Sequence, residues 1–454
     1  MFYVIESQNH VDELFQNELN TSDDIFIHVI KSQPLVHNSI SNTVSLIYIF
    51  QINMSKGYML CINHNETFKI DIDYITKYLN NFKTIYCIDR PLVYQTIPEI
   101  KPKLVDLSIV NWLHTGKKSE VPQTPCHMFY EKLIGKTYHN LNEIIPISKH
   151  YEVIETFKNK HIYSFITQYR DIDKKTYRYY TLLQDTLTLI EKNPIGIDPD
   201  KFNTYFKPNN SYHSINGCEV YTKYHFFTLT SRPQNNFNGI NFNSLSKDNN
   251  CRESFIPLND IFIEIDFNAY HIQLISQLIG YQFDPNLNIY DQLLEEYKAI
   301  NPNITTRDEV KKTTLVQINN GISTKYQNIE FFKKYSEYVD KMWSEYTEDN
   351  VPTDPITGRN IVYSRADTSK YKLMSYMLQS YETSNNIKIL YTLVRSMEKM
   401  KSNIVMYNYD SFLIDACREE FQEIIINIIP IISDNKFVTN ISIGKDYNNL
   451  RRLK

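Results

Sequence analysis

Apolar and polar positions along this chain follow two spacings. Short apolar runs with strand character, FYVI, DDIFIHVI, TVSLIYIFQI, GYMLCIN and KTIYCID, recur through residues 2 to about 112. Between and after them DYITKYLNNF and LVDLSIVNWLH carry helical spacing, so this region predicts an α/β domain. From 113 to 150 the pattern weakens, and HTGKKSEVPQTPC predicts a linker. Residues 151–195 predict mainly helix, ending in TLLQDTLTLIEKNP. Residues 203–258 are polar and turn-rich around SRPQNNFNGINFNSLSKDNN, which reads either as a disordered tract or as a backbone-rich binding loop.

Periodicity returns beyond residue 259. FIEIDF predicts a strand, NAYHIQLISQLI a helix, RDEVKKTTLVQINNGIS a helix, NIVMYNYDSFLIDA a hairpin and EEFQEIIINII a helix. In IFIEIDF the alternation puts Ile261, Ile263 and Ile265 on one face and Phe262, Glu264 and Asp266 on the other. The hairpin carries Asp410 at its bend, between IVMY and FLI.

Asp266 and Asp410 are thus two carboxylates at strand ends, far apart in sequence. Either one alone is more often a cap or turn residue than a ligand. As a pair they are hard oxygen donors that suit Mg²⁺, and two such ions are the apparatus of phosphoryl and nucleotidyl transfer. Between them in sequence, the helix starting at Thr305 or Thr306 and stopping at Gly321 places Lys312, Val316 and Asn320 on one stripe. Arg307 and Lys311 fall on the neighbouring stripe. Cations in a first turn oppose the helix dipole unless an anion joins them, so this helix is either a triphosphate grip or a solvated face balanced by Asp308 and Glu309.

Composition narrows the field only modestly. The chain has 454 residues, enough for several domains, and a net charge of −4 that rules out a globally basic nucleic-acid binder. Any basic surface must be local. Six cysteines without a C-x-x-C pair predict neither a zinc module nor a disulfide framework, and a reducing compartment fits them. No stretch predicts a signal peptide or a membrane span.

Three segments in order, DFNAYHIQLI, KTTLVQINNGIS and MYNYDSFLID, resemble the three polymerase motifs of family A DNA polymerases, in particular their phage-type branch. IEKNPIGIDPDKF, TLTSRPQNNFNGINFNSLSKDNNCRESFIP, LQSYETSNN and VTNISIGKDYNNL are similar to further family segments, so the resemblance covers roughly 180–454. It implies an α/β and α+β multidomain chain. Residues 1–150 would form an RNase H-like 3′-5′ exonuclease-type domain, and 151–258 connecting helices, a reduced thumb and a DNA-contacting loop. Residues 259–454 would form the palm, an antiparallel sheet, and the helical fingers of a right-hand polymerase.

The resemblance further implies a template-directed DNA polymerase with two Mg²⁺ ions, Mn²⁺ substituting. Asp266 and Asp410 would be the metal-binding carboxylates, and Lys312 the catalytic partner of the triphosphate. Arg307, Lys311, Asn320, His271 and Tyr270 would meet the nucleotide, and Arg232, Asn241, Arg252, Gln379 and Tyr409 the DNA. Primer-template DNA and dNTPs would be the partners, with a processivity or replisome protein beside them, in the cytoplasm of a phage host.

Several positions depart from the family pattern. Val316 and Asn320 stand where the family has aromatics, Asp308 where it has arginine, and His271 where it has glutamate. Only about 30 residues separate Asp198 from Arg232, where the family has a long thumb. His28 and Ile30 stand where the nuclease's first two acids belong, with Asp89 at an earlier polar position, which predicts no proofreading. Asp410-Ser411-Phe412 also matches single-subunit RNA polymerases, so such an enzyme or a primase is one rival reading and a catalytically silent replication factor another.

Overall fold

The computed structural model describes residues 3–31, 44–64, 69–115, 145–206, 218–235, 240–284, 287–347, 350–361, 366, 368–433 and 437–453. Most of the expected linker at 113–150, and residues 207–217 and 236–239 of the polar segment expected at 203–258, lie outside them. Contacts divide the chain into two units: residues 1–115, 119–188 and 208–217 form the first, and 116–118, 189–207 and 218–454 the second.

The first unit is built on a six-stranded mixed sheet of order β1-β4-β3-β2-β5-β6. Its strands are β1 (Tyr3–Ile5), β2 (Ile25–Lys31), β3 (Val44–Gln51), β4 (Tyr58–Cys61), β5 (Thr84–Cys87) and β6 (Lys103–Asp106). β2 pairs antiparallel with β3 and parallel with β5, which pairs parallel with β6. β2 and β3 are buried on both faces, which is why they read as nearly continuous apolar runs rather than as alternation.

The unit continues past residue 150 because the following helices pack onto the same sheet. Lys158, 1% exposed on its side chain, pairs with Glu155 at 2.6 Å and donates 2.8 Å to the carbonyl of Ser55 beyond β3. A buried lysine held by one carboxylate and one carbonyl fixes that docking, since either loss would leave a charge without a partner.

The second unit carries a five-stranded antiparallel sheet of order β11-β12-β10-β13-β14 and a small three-stranded sheet, β8-β7-β9. β10 (Ile261–Phe267) lies between β12 (Ser411–Ala416) and β13 (Thr439–Gly444), and β11 (Asn403–Asn408) pairs with β12. β7 (Ile195–Ile197), β8 (Glu219–Val220), β9 (Phe255–Ile256) and β14 (Arg451–Arg452) complete the set. Phe262, Ile263, Ile265 and Phe267 of β10 are buried, while Glu264 and Asp266 keep partial access.

Long helices complete this unit: Tyr270–Ile279, Ile289–Ile300, Arg307–Asn320, Glu330–Glu345 and Lys370–Ser396. Among the described residues no helix is long and apolar enough to cross a membrane.

Candidate active site

Asp266 occupies the last turn of pleat in β10, opposite Ser411 on one side and Asn440 on the other. β11 and β12 are joined by two residues, Tyr409 and Asp410, so Asp410 sits in a tight hairpin loop. Tyr409 adopts φ 57°, the left-handed region that such loops favour but that a bulky side chain enters at a cost. The amide of Phe267 donates 2.9 Å to the carbonyl of Asp410, tying the two strand ends together.

Both carboxylates line two adjoining clefts. One, of about 270 Å³, is walled by Arg232, Tyr270, His271, Tyr290, Arg307, Lys311, Leu315 and Glu382. The other, of about 490 Å³, is walled by Asn243, Lys247, Arg252, Glu264, Tyr409, Tyr447 and Arg452, with Arg307 and Lys311 again at its edge. Cationic side chains therefore face the acids from the Arg307–Asn320 helix and from the segment before β10.

Burial pushes the Asp266 carboxyl up to about 7, and Asp410 and then Glu264 add to the shift while Asn440 opposes it through a hydrogen bond. Asp410 is raised by burial first and by Glu382 next. Two partly buried acids raised first by desolvation, and then by neighbouring carboxylates (Asp410 and Glu264 for Asp266, Glu382 for Asp410), form a site short of positive charge. Their oxygens, with the Asn440 amide beside them, are hard donors, and a divalent cation fits that set. No cluster of three or more His, Cys, Asp or Glu suited to a metal occurs among the described residues, so the pair stands without a third carboxylate ligand.

The Arg307–Asn320 helix begins where its sequence requires. Thr306 accepts from the Glu309 amide while the Glu309 carboxylate reaches back to the Thr306 amide, a capping box, and Gly321 follows the last turn at φ 107°. Val310, Thr314, Gln317 and Ile318 are buried, and that packing turns Arg307, Lys311 and Leu315 into the acid-lined cleft. Lys312 instead lines a separate cleft with Glu309, Gln317 and Lys325. The stripe expected from Lys312, Val316 and Asn320 is thus displaced by one residue, about 100° of helix rotation. Val316 is exposed at 52%, and Asn320 is exposed outside the acid-lined clefts.

The Lys370–Ser396 helix also borders the site. Gln379, expected at the DNA, donates 3.4 Å to Ser375, while Glu382, one turn further on, reaches the cleft. Glu382 is buried and pairs with Arg232 at 2.9 Å; His271 lies at 3.6 Å, an electrostatic approach rather than a hydrogen bond. Burial pushes the Glu382 carboxyl up, but Arg232 and His271 outweigh it and hold it below its ordinary value. The Arg232 guanidinium also stacks 3.6 Å over the Tyr409 ring.

The remaining expected residues take varied places. Tyr270 lines the cleft, yet its hydroxyl is turned to Asn385 and Asn386. Arg252 donates twice to the carbonyl of Leu245 and lies 4.7 Å over Tyr447, which fixes it at the wall of the larger cleft. Asn241 is outside both acid-lined clefts, where its carbonyl accepts from Ser244. Glu382, Asn440, Lys247 and Arg452 escaped the sequence reading. The signal for Glu382 was present as the lone charge in MSYMLQSYETSNN, one helical turn past Gln379.

Among solved structures, the chain is similar to the POL domain of Pol1 from M. smegmatis, in complex with DNA primer-template and dNTP. The TM-score is 0.74 at 10% sequence identity, covering 99% of this chain and 100% of that one. No protein-family model and no curated protein matches the sequence. The likeness establishes that the chain has the fold of that polymerase domain.

Proposed function

We propose that the chain is a template-directed DNA polymerase of the family A kind, which adds dNMPs to a primer 3′-OH at Asp266 and Asp410. The observation that carries this reading is the convergence of these two acids beneath a helix that turns Arg307 and Lys311 towards them. The fold it shares with a polymerase domain in complex with DNA primer-template and dNTP supplies the ligand class. Asp266 and Asp410 would hold two Mg²⁺ ions, with Mn²⁺ able to substitute; bound there, the metals neutralise charge on the phosphates. Arg307 and Lys311 bind the triphosphate, and Lys311 Nζ, in place of Lys312, donates a proton to the departing pyrophosphate. The cleft walled by Lys247, Arg252 and Arg452 receives the primer end through sequence-independent phosphate contacts.

In this reading the first unit is a nuclease-like domain that no longer proofreads, and its strand order with parallel β2, β5 and β6 supports that kinship. His28 is buried within β2, and Asp89 caps the Arg90–Thr96 helix by accepting from the Leu92 amide at 3.1 Å. A reduced thumb leaves processivity to a partner. Replacement of a carboxylate by His271 in the nucleotide cleft favours one second reading, in which NTPs are used. Primer extension with Mg²⁺ on a primed template, with dNTPs or NTPs and with or without primer, tests both. Failure to extend under every combination removes the polymerase proposal, and primer-independent NTP incorporation replaces it with the second reading. Shortening of a mismatched primer would contradict the loss of proofreading.

A further inference from the structure

The two acid-bearing segments share an unusual backbone feature. Ala269, just beyond Asp266, has φ 50°, and Tyr409, just before Asp410, has φ 57°. Neither is glycine, so each chain segment holds a conformation that its own side chain disfavours, and surrounding contacts must maintain it. One side chain touches both Tyr409 itself and Tyr270, the residue after Ala269. Asn386, 1% exposed on the Lys370–Ser396 helix, donates from Nδ2 to the Tyr409 carbonyl at 2.8 Å and to the Tyr407 hydroxyl at 3.2 Å. Its Oδ1 accepts from the Tyr270 hydroxyl at 2.5 Å, and that hydroxyl accepts from Asn385 Nδ2 at 2.7 Å.

We infer that Asn386 is a positioning residue that sets the separation of Asp266 and Asp410 by clamping the chain on both sides of the pair. The amide orientation follows from its partners: a carbonyl can only accept, so the nitrogen must face Tyr409, and the oxygen is left for Tyr270. With both hydrogens and the oxygen used inside a site closed to water, no other small side chain reproduces the set. Loss of the amide frees the Tyr409 peptide to leave the left-handed region, which swings Asp410 at the tip of a two-residue loop while Asp266 stays fixed within β10. The effect therefore falls on the carboxylate pair and on Tyr270 and Tyr409 beside it, not on the cationic walls of the clefts.

This inference rests on the proposed metal-binding role of the two acids, and its test does not require catalysis. Mn²⁺ binding to the full chain is measured by calorimetry for the native protein, Asn386→Ala, Tyr270→Phe and Ser402→Ala, with melting temperatures alongside. Ser402 is a control at the far end of the same hairpin, where its buried hydroxyl donates 2.6 Å to Glu420. Asn386→Ala is expected to weaken Mn²⁺ binding about ten- to a hundredfold, the usual loss for a group that orients a metal ligand. Tyr270→Phe should weaken it less, and Ser402→Ala should lower the melting temperature without changing affinity. Unchanged affinity in Asn386→Ala, or in Tyr270→Phe should the first variant fail to fold, overturns the inference, as does an equal loss in Ser402→Ala. Native protein that binds Mn²⁺ yet extends no primer would remove the polymerase reading and leave the positioning role standing.

Discussion

Asp106 in the first unit is a buried carboxylate and the Asp266–Asp410 pair in the second is partly buried, and desolvation raises all three. Their surroundings differ. Asp106, 0% exposed, accepts from the Arg90 amide at 3.0 Å, the Ser108 amide at 2.8 Å and the Gln184 side chain at 2.8 Å, so its oxygens are consumed by protein donors. Asp266 and Asp410 face each other, Glu264 and Glu382 across open clefts. A carboxylate satisfied by amides holds a fold together, whereas carboxylates left to repel one another keep a place for a cation.

The contrast can be broken most sharply by substitution of the acids. Asp410→Ala should reduce primer extension by roughly a thousandfold or more, the several kcal/mol that metal-held charge contributes to such transition states. Asp106→Ala should leave the rate per folded molecule unchanged while lowering stability by about 1–3 kcal/mol, because three buried donors lose their acceptor. Denaturant melts combined with single-turnover extension separate the two, and equal catalytic losses would erase the distinction.

Helix orientation gives the next largest effect. Lys311→Ala should cost about a hundredfold in turnover, in line with loss of one preorganised charge at a transferring phosphoryl group, and Lys312→Ala less than about threefold. Steady-state kinetics on a primed template read both, and the reverse ranking would restore the stripe expected from sequence.

A smaller effect is the pH response of the metal-free protein. The folded state keeps a proton on Asp266 up to about pH 7, whereas the unfolded chain releases it near the ordinary value of 3.8. Between those limits the folded state binds more protons, so stability should fall as pH rises from about 4 to about 7. Mg²⁺ should bind more tightly across the same interval, since it competes with that proton. His150 in the first unit has the opposite sign: burial lowers it to about 3, so its contribution is lost as pH falls below about 6.5. Melting curves of Asp266→Asn and His150→Phe across pH, with and without Mg²⁺, should each remove one of the two slopes.

Much of this site was present in the linear chain. Alternation in IFIEIDF placed Asp266 beside Glu264 on one face, the apolar-polar-apolar pattern of the hairpin placed Asp410 at its bend, and Thr306 with Gly321 marked the ends of the intervening helix. These are local features, set by side-chain periodicity, caps and turns within a few residues. Tertiary structure alone decided which helix stripe faces the acids. The Arg307–Asn320 helix is polar nearly all round, so no apolar stripe announced its buried side, and packing of Val310, Thr314 and Ile318 chose Lys311 over Lys312. The same holds for Glu382, Asn386 and Asn440, whose roles depend on partners more than a hundred residues away or on a neighbouring strand. Side-chain chemistry is written residue by residue, but which donor meets which acceptor is fixed only when helices and strands pack, because that meeting is a property of three-dimensional distance.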